Sequence, residues 1–420
     1  MPDARKTVAN ALIRVEKESA FSNVLLANLL REAQLSREDT AFASALFYGV
    51  LDRKITLDYL ISRYIRIRVE KLKSLTRQAL RMALYQIRYM DRVPDHAAVG
   101  QSVELVKHSP ESHNAPFVNG VLRNYLRNPA DLPSGSDEKS LAIRYSCPPE
   151  IVGELTRDYG EAAEGFLQSF LQSPSVHLRV NPLKTDAGQL IRALAERGIA
   201  ARETDPYSVC LLDGMDIRRD PGYQNGWYHA QDPASQACAS LLGAKPGEKI
   251  LDLCAAPGGK TFTVAEQMQN RGKLLSCDLY DSRVKLIVSG AARLGLTCIT
   301  ARQNDAAVYC PDFGTFDRVL CDVPCSGYGI LRRKPDIKYK PSTDFSALQQ
   351  LQAAILETGS RYVQPGGVLM YSTCTLRKKE NENQVAAFLK KHPEYRVDFS
   401  KTFFPDEGTD GFFVCRMLRE

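Results

Sequence analysis

The sequence predicts an α/β chain with an all-helical N-terminal domain, a small α+β segment and a Rossmann-like C-terminal domain. Three observations support this prediction. The chain has 420 residues, more than one domain usually holds. Residues 3–93 contain no proline and a single glycine, Gly49. From residue 229 onward, short apolar runs alternate with helical patterns, as they do in successive βαβ units.

The first 127 residues carry the helical pattern. Apolar residues recur every three or four positions, which is typical of amphipathic helices that share a core. The series comprises Val8, Leu12, Val15, Val24, Leu25, Leu29, Ala43, Leu46, Phe47 and Val50. Residues 128–140 are polar and rich in turn formers, so they predict a linker.

Positive charge is concentrated in this first part. Residues 1–127 hold 20 Lys and Arg against 13 Asp and Glu, a net charge of +7, whereas the rest of the chain carries −1. Eleven of the basic residues fall within residues 53–92. This stretch predicts either a solvated helical face or a surface that contacts phosphate, and charge alone does not decide between them.

The composition argues against several classes of protein. No run of 18 apolar residues occurs, so no membrane span is indicated. The eleven cysteines lack the paired spacing of a zinc module, and Cys321 and Cys325 have no second pair beside them. Free thiols are typical of a reducing compartment. We therefore expect a monomeric, cytoplasmic protein with no metal and no membrane partner.

Residues 141–228 predict a mixed α+β segment, with strands near 177–182 and 208–212 and a helix near 185–197. Residues 229–420 predict the Rossmann-like domain, ending in a strand near 410–418 that could run antiparallel. The parallel strands are expected at Lys249–Leu253, Lys273–Cys277, Cys298–Ala301, Arg318–Cys321 and Val368–Tyr371. The helices between them are expected at Thr261–Gln269, Ser282–Leu294 and Phe345–Tyr362.

A glycine-rich loop follows the first of these strands, where ligands of open parallel sheets bind. Glycine lets the backbone turn tightly and approach a ligand closely. The loop has neither the dinucleotide pattern Gly-x-Gly-x-x-Gly nor the spacing of a Walker loop. Its residues are Cys254, Ala255, Ala256, Pro257, Gly258, Gly259 and Lys260.

Two aspartates follow the next two strands. Asp278 is placed to accept hydrogen bonds from ribose hydroxyls, and Asp305 to accept from an adenine amine. Because no pyrophosphate loop is present, the best ligand is an adenosine without phosphates, S-adenosylmethionine. The alternative is that both aspartates are helix N-caps.

Two cysteines are expected in loops at the same edge of the sheet, Cys325 after the fourth strand and Cys374 after the fifth. A pyrimidine C5 attacks a sulfonium methyl only after a thiolate has added to C6. Cys325, Cys374 and Asp322 supply two thiols and a carboxylate for this chemistry. These residues alone do not say which thiol attacks, and the alternative is that both are small buried hydrophobes.

At these positions the chain resembles the RNA cytosine-5 methyltransferase family, especially its bacterial members that act on small-subunit ribosomal RNA. The matching segments are LDLCAAPGGKT (251–261), DVPCSG (322–327), STCT (372–375), GTDGFF (408–413), HAQDPASQ (229–236) and LRVNPLK (178–184). Residues 1–127 resemble the helical RNA-binding domain of the antitermination factor NusB, through VPDHAAV (93–99) and FVNGVLR (117–123).

The resemblance covers nearly the whole chain and implies methylation of C5 of a cytosine in 16S ribosomal RNA. It implies that Cys374 is the attacking thiolate and that Cys325 assists release of the base. It also implies that the loop 254–260 holds the methionine end of the cofactor, Asp278 the ribose and Asp305 the adenine. Asp322 then belongs to the methyl-transfer site.

RNA contacts are expected at three places: the basic loop 331–340, the basic stretch 53–92, and Arg179 and Asn181 in the α+β segment, which are candidates for positioning the RNA backbone. The basic loop 331–340 follows the Cys325 loop, and its Tyr339 is a candidate for stacking on a base. The alternative for this loop is a solvated turn. With the resemblance in hand, the basic stretch 53–92 also becomes a candidate. The predicted RNA-contacting residues are Arg63, Arg66, Arg68, Arg179, Asn181, Arg332, Arg333, Lys334 and Lys338.

Two other functions compete with this one. A ribosome-assembly or antitermination factor with a silent catalytic domain should have lost Cys374 or the Pro257-Gly258-Gly259 turn, and both are present. A methyltransferase of exocyclic amines uses an Asp-Pro-Pro-Tyr-type loop and needs no thiol, whereas this chain has Asp-Val-Pro-Cys at 322–325.

Overall fold

The computed structural model describes residues 3–18, 22–339 and 345–420, without the side chains of residues 18 and 22–24. The chain folds as two compact units. One comprises Met1–Gln172 with Leu331–Pro341, and the other comprises Ser173–Ile330 with Ser342–Glu420. The predicted linker at 128–140 therefore lies inside the first unit, and the predicted α+β segment is divided between the two.

The first unit is helical, as the apolar spacing predicts. The inward faces of its helices form one apolar core that includes Leu12, Leu46, Phe47 and Val50. Helix starts follow local chemistry: the Ser36 hydroxyl accepts from the Asp39 amide at the start of the third helix. The helices are α1 (Ala4–Glu18), α2 (Ser22–Ala33), α3 (Arg37–Asp52), α4 (Lys54–Ser62), α5 (Ser74–Tyr89), α6 (Asp95–Lys107), α7 (Ala115–Arg127), α8 (Glu138–Arg144), α9 (Pro149–Tyr159) and α10 (Ala162–Ser169).

The basic loop predicted at 331–340 belongs to this first unit, although the chain on both sides of it belongs to the second. Lys338 is buried, and its Nζ lies 2.7 Å from Asp52 Oδ1. Lys54 Nζ lies 4.7 Å from the centre of the Tyr339 ring. These two side chains of the loop therefore pack against protein, and Lys340 lies outside the described residues.

The second unit begins with a four-stranded antiparallel sheet in the order β2-β3-β1-β4. The predicted strands at 177–182 and 208–212 and the helix at 185–197 are all present. The helix begins where the Asp186 carboxylate accepts from the Gln189 amide. The elements are β1 (Val176–Val180), α11 (Ala187–Ala195), β2 (Ala201–Asp205), β3 (Ser208–Leu211), α12 (Pro221–Gln224) and β4 (Tyr228–Ala230).

A seven-stranded sheet with the order β10-β11-β9-β8-β5-β6-β7 forms the rest of this unit. The five predicted parallel strands are confirmed, and so is the antiparallel strand at the C-terminus. The strands are β5 (Lys249–Asp252), β6 (Lys273–Asp278), β7 (Ile299–Gln303), β8 (Phe316–Asp322), β9 (Val363–Thr373), β10 (Tyr395–Phe403) and β11 (Phe412–Arg419). The helices are α13 (Pro233–Leu241), α14 (Gly259–Gln267), α15 (Asp281–Leu294), α16 (Phe345–Tyr362) and α17 (Glu382–Leu389).

Apolar clusters cover both faces of this sheet. The neighbouring residues Ile250 and Leu251 belong to different clusters, and so do Val319 and Leu320. Since successive side chains of a strand point to opposite faces, the sheet is buried on both sides. The predicted α/β class is therefore confirmed.

The strand order reverses between β5 and β8, because β6 and β7 extend the sheet on one side of β5 and β8 and β9 extend it on the other. Open α/β sheets bind ligands at such a switch point, beyond the carboxyl ends of the strands. The loops that carry Gly258 and Cys325 begin there, and the loop that carries Cys374 begins at the same edge, after the adjacent strand β9. None of the helices that the structure describes is long and apolar enough to cross a lipid bilayer.

Candidate active site

The two predicted thiols meet at the carboxyl edge of the seven-stranded sheet. Asp322 at the end of β8 pairs with Ser372 on the parallel strand β9, so the loops that follow leave the sheet side by side. Cys325 and Cys374 are both half-buried, and their sulfurs are 3.3 Å apart. The sequence predicted both loops, and the structure brings their two sulfurs into contact.

The environment of Cys325 favours its protonated form. The hydrogen bond with Cys374 and burial raise the pKa of the Cys325 thiol well above its usual value. The two sulfurs therefore form a hydrogen-bonded pair in which Cys325 retains its proton. This proton lies next to the Cys374 sulfur, where a leaving thiolate would need one.

Asp322 is held by two partners. Lys260 Nζ lies 2.8 Å from Asp322 Oδ2, and the Ser372 hydroxyl donates to Asp322 Oδ1 at 2.8 Å. Burial alone would lower the pKa of Lys260, but the charge and hydrogen bond of Asp322, together with the nearby thiols Cys238 and Cys374, outweigh burial and raise the pKa, so the ammonium stays charged. The last residue of the glycine-rich loop is thus tied to the carboxylate of the Cys325 loop.

The glycine-rich loop folds back on the end of the neighbouring strand β6. The Ala255 amide donates to the Cys277 carbonyl at 2.8 Å, and the Ala256 amide donates to Asp278 Oδ2 at 3.3 Å. Gly258 has φ +111°, and a Cβ there would lie 2.3 Å from the Phe262 ring. The position therefore requires glycine, as the sequence predicts.

The alternative that Asp278 and Asp305 are helix caps does not match the structure. Helix α15 starts at Asp281 after Tyr280, and Asp278 is buried at the end of β6. Asp305 is exposed just beyond β7 and accepts from the Ala307 amide at 2.9 Å. Two carboxylates therefore stand beyond the ends of adjacent parallel strands.

Asp252 is a site residue that the sequence reasoning did not single out. It ends β5, and its Oδ2 accepts from the Thr261 hydroxyl at 2.7 Å. Its Oδ1 is buried with no partner among the described residues. Burial raises the pKa of Asp252 to about 7. A carboxylate closing an otherwise apolar strand, directly before the glycine-rich loop, is the signal that could have identified it.

A crossing of two glycines closes the site on the side of β11. The Gly329 amide donates to the Cys374 carbonyl at 3.0 Å, and the Gly411 amide donates to the Gly329 carbonyl at 2.8 Å. A Cβ on Gly329 would lie 1.8 Å from the Gly411 carbonyl oxygen. Glycine is therefore required for the Cys325 loop to pass the GTDGFF segment at this distance.

Several predicted RNA-contacting side chains are engaged inside the protein. Arg179 is buried, with its Nε 3.2 Å from Glu266 Oε2 on α14. Asn181 is fully buried and donates to the backbone carbonyls of Gly226 and Leu294. With Lys338, whose partner is Asp52, these residues hold protein elements together, so we do not propose them as RNA contacts.

The other predicted RNA-contacting residues reach the surface to different degrees. Arg63, Arg66 and Arg68 are exposed between α4 and α5. In the basic loop Lys334 is exposed, whereas Arg332 and Arg333 are half-buried.

No cluster of three or more metal-binding side chains occurs among the residues that the structure describes.

Family models match three parts of the chain. Residues 239–418 match the model described as 16S rRNA methyltransferase RsmB/F. Residues 2–127 match the NusB family, and residues 148–218 match the ferredoxin-like domain of RsmF/B-like methyltransferases. Helices α1–α7 and the segment that holds β1, β2 and β3 thus each match a known domain family.

Two named relatives match this chain in sequence over nearly its full length. The chain is 38% identical over 442 residues to the Bacillus subtilis (strain 168) protein named "Probable ribosomal RNA small subunit methyltransferase B", covering 99% of this chain and 98% of the relative. It is 30% identical over 430 residues to the Yersinia pseudotuberculosis (serotype O:1b) "Ribosomal RNA small subunit methyltransferase B", with coverage of 99% and 98%.

Two solved structures share the fold. The structure named PH0851 superposes with a TM-score of 0.83 at 24% identity, over 99% of this chain and 98% of that one. NSun6 from Pyrococcus horikoshii superposes with a TM-score of 0.60 at 20% identity, over 65% of this chain and 98% of that one. Fold, domain order and full-length relatives agree with the resemblance found in the sequence, and the chain belongs to the 16S rRNA methyltransferase RsmB/F family.

Proposed function

We propose that this chain transfers a methyl group from S-adenosylmethionine to C5 of a cytosine in 16S ribosomal RNA, through a transient bond between the Cys374 sulfur and C6. The observation that carries the proposal is the 3.3 Å separation of the Cys325 and Cys374 sulfurs beside the Lys260–Asp322 pair. The names of the full-length relatives support the choice of RNA.

The residues of the glycine-rich loop fit this cofactor. Asp278 and Asp305 offer carboxylates to a ribose and an adenine, and residues 254–259 offer a backbone that Gly258 keeps open. The cation of the loop, Lys260, is paired with Asp322, and the neighbouring Arg283 contacts Asp278 and the Ala256 carbonyl, so both positive charges near the loop already have partners in the protein. When bound, S-adenosylmethionine supplies an electrophilic methyl group on a sulfonium.

The two thiols have different roles: Cys374 attacks the cytosine, and Cys325 assists the later elimination. Addition of the Cys374 thiolate forms a sulfur–carbon bond at C6 and gives C5 the electron density to accept a methyl. Loss of the C5 proton to a base then restores the C5–C6 double bond and expels the thiolate of Cys374. Cys325, which holds its proton beside that sulfur, is placed to assist this elimination.

Asp322 and Lys260 prepare the site between the loops. Lys260 keeps a positive charge against Asp322, and Ser372 fixes the second carboxylate oxygen. A carboxylate held at two points keeps one orientation towards the methyl-transfer site, which is what a positioned catalytic group requires.

RNA binding is proposed for surfaces outside the thiol site. Arg63, Arg66 and Arg68 are exposed cations of the NusB-like domain and suit contacts to phosphate. Arg332, Arg333 and Lys334 are proposed as a second contact. A target base inside a helix would have to be extruded to reach Cys374, because that side chain is half-buried.

A cytoplasmic location is also proposed. All eleven cysteines are free thiols, and the reducing cytoplasm would maintain them in that state.

The proposal is tested with Cys374→Ser, assayed for tritiated methyl transfer to a 16S ribosomal RNA transcript. We expect the variant to lose transfer by at least about 1,000-fold while still binding S-adenosylmethionine in equilibrium dialysis. Cys298→Ser, which changes a half-buried thiol before β7, is the matched control and should remain active. Undiminished transfer by Cys374→Ser would refute the covalent route, and loss of transfer in the control would point to general damage.

A further inference from the structure

The residues on either side of Cys325 and of Cys374 hydrogen-bond to one short segment, Glu380 and Asn381, either directly or through Gln352. On either side of Cys325, the Pro324 carbonyl accepts from Gln352 Nε2 at 2.9 Å and the Ser326 amide donates to Glu380 Oε2 at 2.9 Å. The loop that carries Cys325 is thus held directly before and directly after the sulfur-bearing residue.

Glu380 makes one of these contacts directly and is bonded to the residue that makes the other. Its Oε2 also accepts from Gln352 Nε2 at 2.8 Å, so Gln352 bridges the Pro324 carbonyl to the same carboxylate oxygen. Its Oε1 accepts from Arg377 at 2.9 Å, and its backbone carbonyl accepts from the Tyr371 hydroxyl at 2.7 Å. Glu380 is fully buried, so these bonds are shielded from water and its carboxylate has little freedom to move.

Asn381, the next residue, holds the other cysteine in the same way. Its Oδ1 accepts from the Thr373 hydroxyl at 2.6 Å, and its Nδ2 donates to the Thr375 carbonyl at 2.9 Å. Thr373 and Thr375 are the residues directly before and after Cys374. Asn381 is also fully buried.

A third contact joins the two loops to each other. The hydroxyls of Ser326 and Thr375, the residues that follow the two cysteines, are 2.7 Å apart. The consecutive residues Glu380 and Asn381 therefore hydrogen-bond to the two loops. The loops are also hydrogen-bonded to each other directly after the two cysteines. Between these contacts the two sulfurs lie 3.3 Å apart.

We propose that Glu380 and Asn381 are positioning residues that set the separation of the two thiols, Glu380 acting on Cys325 and Asn381 on Cys374. This inference rests on the proposed roles of the thiols. If Asn381 aims the attacking sulfur, its loss slows bond formation at C6. If Glu380 aims the assisting sulfur, its loss slows release of the methylated base.

The charge of Glu380 adds to this role. Although the bond to Cys374 and burial contribute more, the carboxylate also raises the pKa of the Cys325 thiol. A carboxylate that contacts the backbone of the loop therefore helps both to place the thiol and to keep its proton.

The test separates the two steps with two RNA substrates and the full chain. In the presence of S-adenosylmethionine, a 16S transcript made with 5-fluorocytidine accepts the methyl at C5 but has no C5 proton to lose, so it accumulates the methylated protein–RNA adduct and reports the steps from the attack of Cys374 through methyl transfer. A transcript made with ordinary cytidine accumulates an adduct only when release fails. Both adducts are measured as shifted bands on denaturing gels over time.

We expect Asn381→Ala to slow adduct formation on fluorinated RNA by about 10- to 100-fold and to show no adduct on ordinary RNA. We expect Glu380→Ala to form the fluorinated adduct within about threefold of the wild-type rate and to accumulate adduct on ordinary RNA. Glu380→Gln, whose side-chain oxygen still accepts from the Ser326 amide, should recover part of the release rate. Asn383→Ala, an exposed change on α17, should match the wild type on both substrates.

The outcomes distinguish this inference from the function on which it rests. If the wild-type chain forms no adduct on fluorinated RNA, the covalent route itself fails. If the wild type forms the adduct but both variants match it, or lose both steps in equal proportion, the positioning roles are overturned. Should an alanine variant not fold, Glu380→Gln and Asn381→Asp, which remove one hydrogen-bonding capability each, give the same comparison.

Discussion

Lys260 Nζ lies 2.8 Å from Asp322 Oδ2, and this ion pair joins the glycine-rich loop to the loop that carries Cys325. The two loops follow neighbouring parallel strands, β5 and β8, on either side of the switch point of the sheet. The pair therefore ties the proposed cofactor loop to the proposed thiol loop through one short contact.

Lys260→Met is predicted to lower kcat/KM for methyl transfer by about 10- to 100-fold, because Asp322 loses its counter-charge and one of its two anchors. Steady-state kinetics with 16S transcript checks this. Lys285→Met, which removes an exposed lysine paired with Asp281, is the control and should leave kcat/KM within about twofold. An active Lys260→Met chain would mean that Asp322 needs no cation.

Cys325→Ala is predicted to accumulate a covalent complex with unmodified 16S RNA in the presence of S-adenosylmethionine. The attacking sulfur is retained, whereas the thiol 3.3 Å away that we propose to assist elimination is removed. A band of reduced mobility on a denaturing gel, absent with Cys374→Ser, is the expected result. The double variant Cys325→Ala/Cys374→Ser should show no band, and a band there would assign the attack to another residue.

Glu16→Gln is predicted to destabilise the helical N-terminal domain at neutral pH. Although burial opposes the shift, Arg81 and its neighbours lower the pKa of Glu16 to about 2, from an ordinary value of 4.5. Its ionised form therefore stabilises the fold by about 3 kcal/mol above pH 4.5, and this contribution disappears as the pH falls towards 2.

Hydrogen exchange of the α1 and α5 amides in the full chain measures this effect. The difference between wild type and Glu16→Gln should be largest near pH 7 and should shrink below pH 4.5. Glu32→Gln, an exposed change on α2, is the control and should show little difference. A difference for Glu16→Gln that grows in acid would contradict the assigned direction of the shift.

The basic surface formed by Arg63, Arg66, Arg68 and Lys71 is predicted to contact RNA phosphates. All four side chains are exposed in the first unit. Replacing them together by Gln should weaken binding of the 16S transcript and reduce the slope of log K against log salt by about 2 to 4, because fewer counterions are released. Filter binding at several potassium chloride concentrations measures the slope.

A control variant carries the same change of charge on the second unit. It replaces four exposed lysines by Gln: Lys273, Lys390, Lys391 and Lys401. We expect its salt slope to stay closer to that of the wild type. Equal slopes for the two variants would show that total charge governs binding, and that the surface at 63–71 has no special part in it.

Local patterns were sufficient to predict the parts of the fold that depend on short-range periodicity. The five parallel strands and the loops bearing Gly258, Cys325 and Cys374 could be placed because apolar runs end at polar, glycine-rich or cysteine-bearing turns. Strand β10 escaped prediction because it lies at the edge of the sheet and most of its side chains face solvent. An edge strand carries no apolar run to reveal it.

Partners distant in sequence account for the rest. Lys338 and Asp52 are 286 residues apart, and nothing near either residue marks their contact. Arg179 and Glu266 form a buried pair across 87 residues, and without knowledge of Glu266 a basic residue in a strand predicts an RNA contact. Glu380 is hidden for the same reason, since its partners Ser326 and Gln352 are 54 and 28 residues away. Asn381 lies only eight residues from Thr373, but no local pattern marks its side chain as a partner of the Cys374 loop.

The close contact between Gly329 and Gly411 restricts which substitutions the chain can tolerate beside the two thiols. Three backbone segments, at residues 329, 374 and 411, are joined by hydrogen bonds between backbone amides and backbone carbonyls, without any side chain. A methyl group on either glycine would clash with the backbone of the other and displace it. A side chain at position 329 or 411 would therefore displace the Cys325 loop relative to the Cys374 loop, so the spacing of the two thiols depends on two positions that carry no side chain at all.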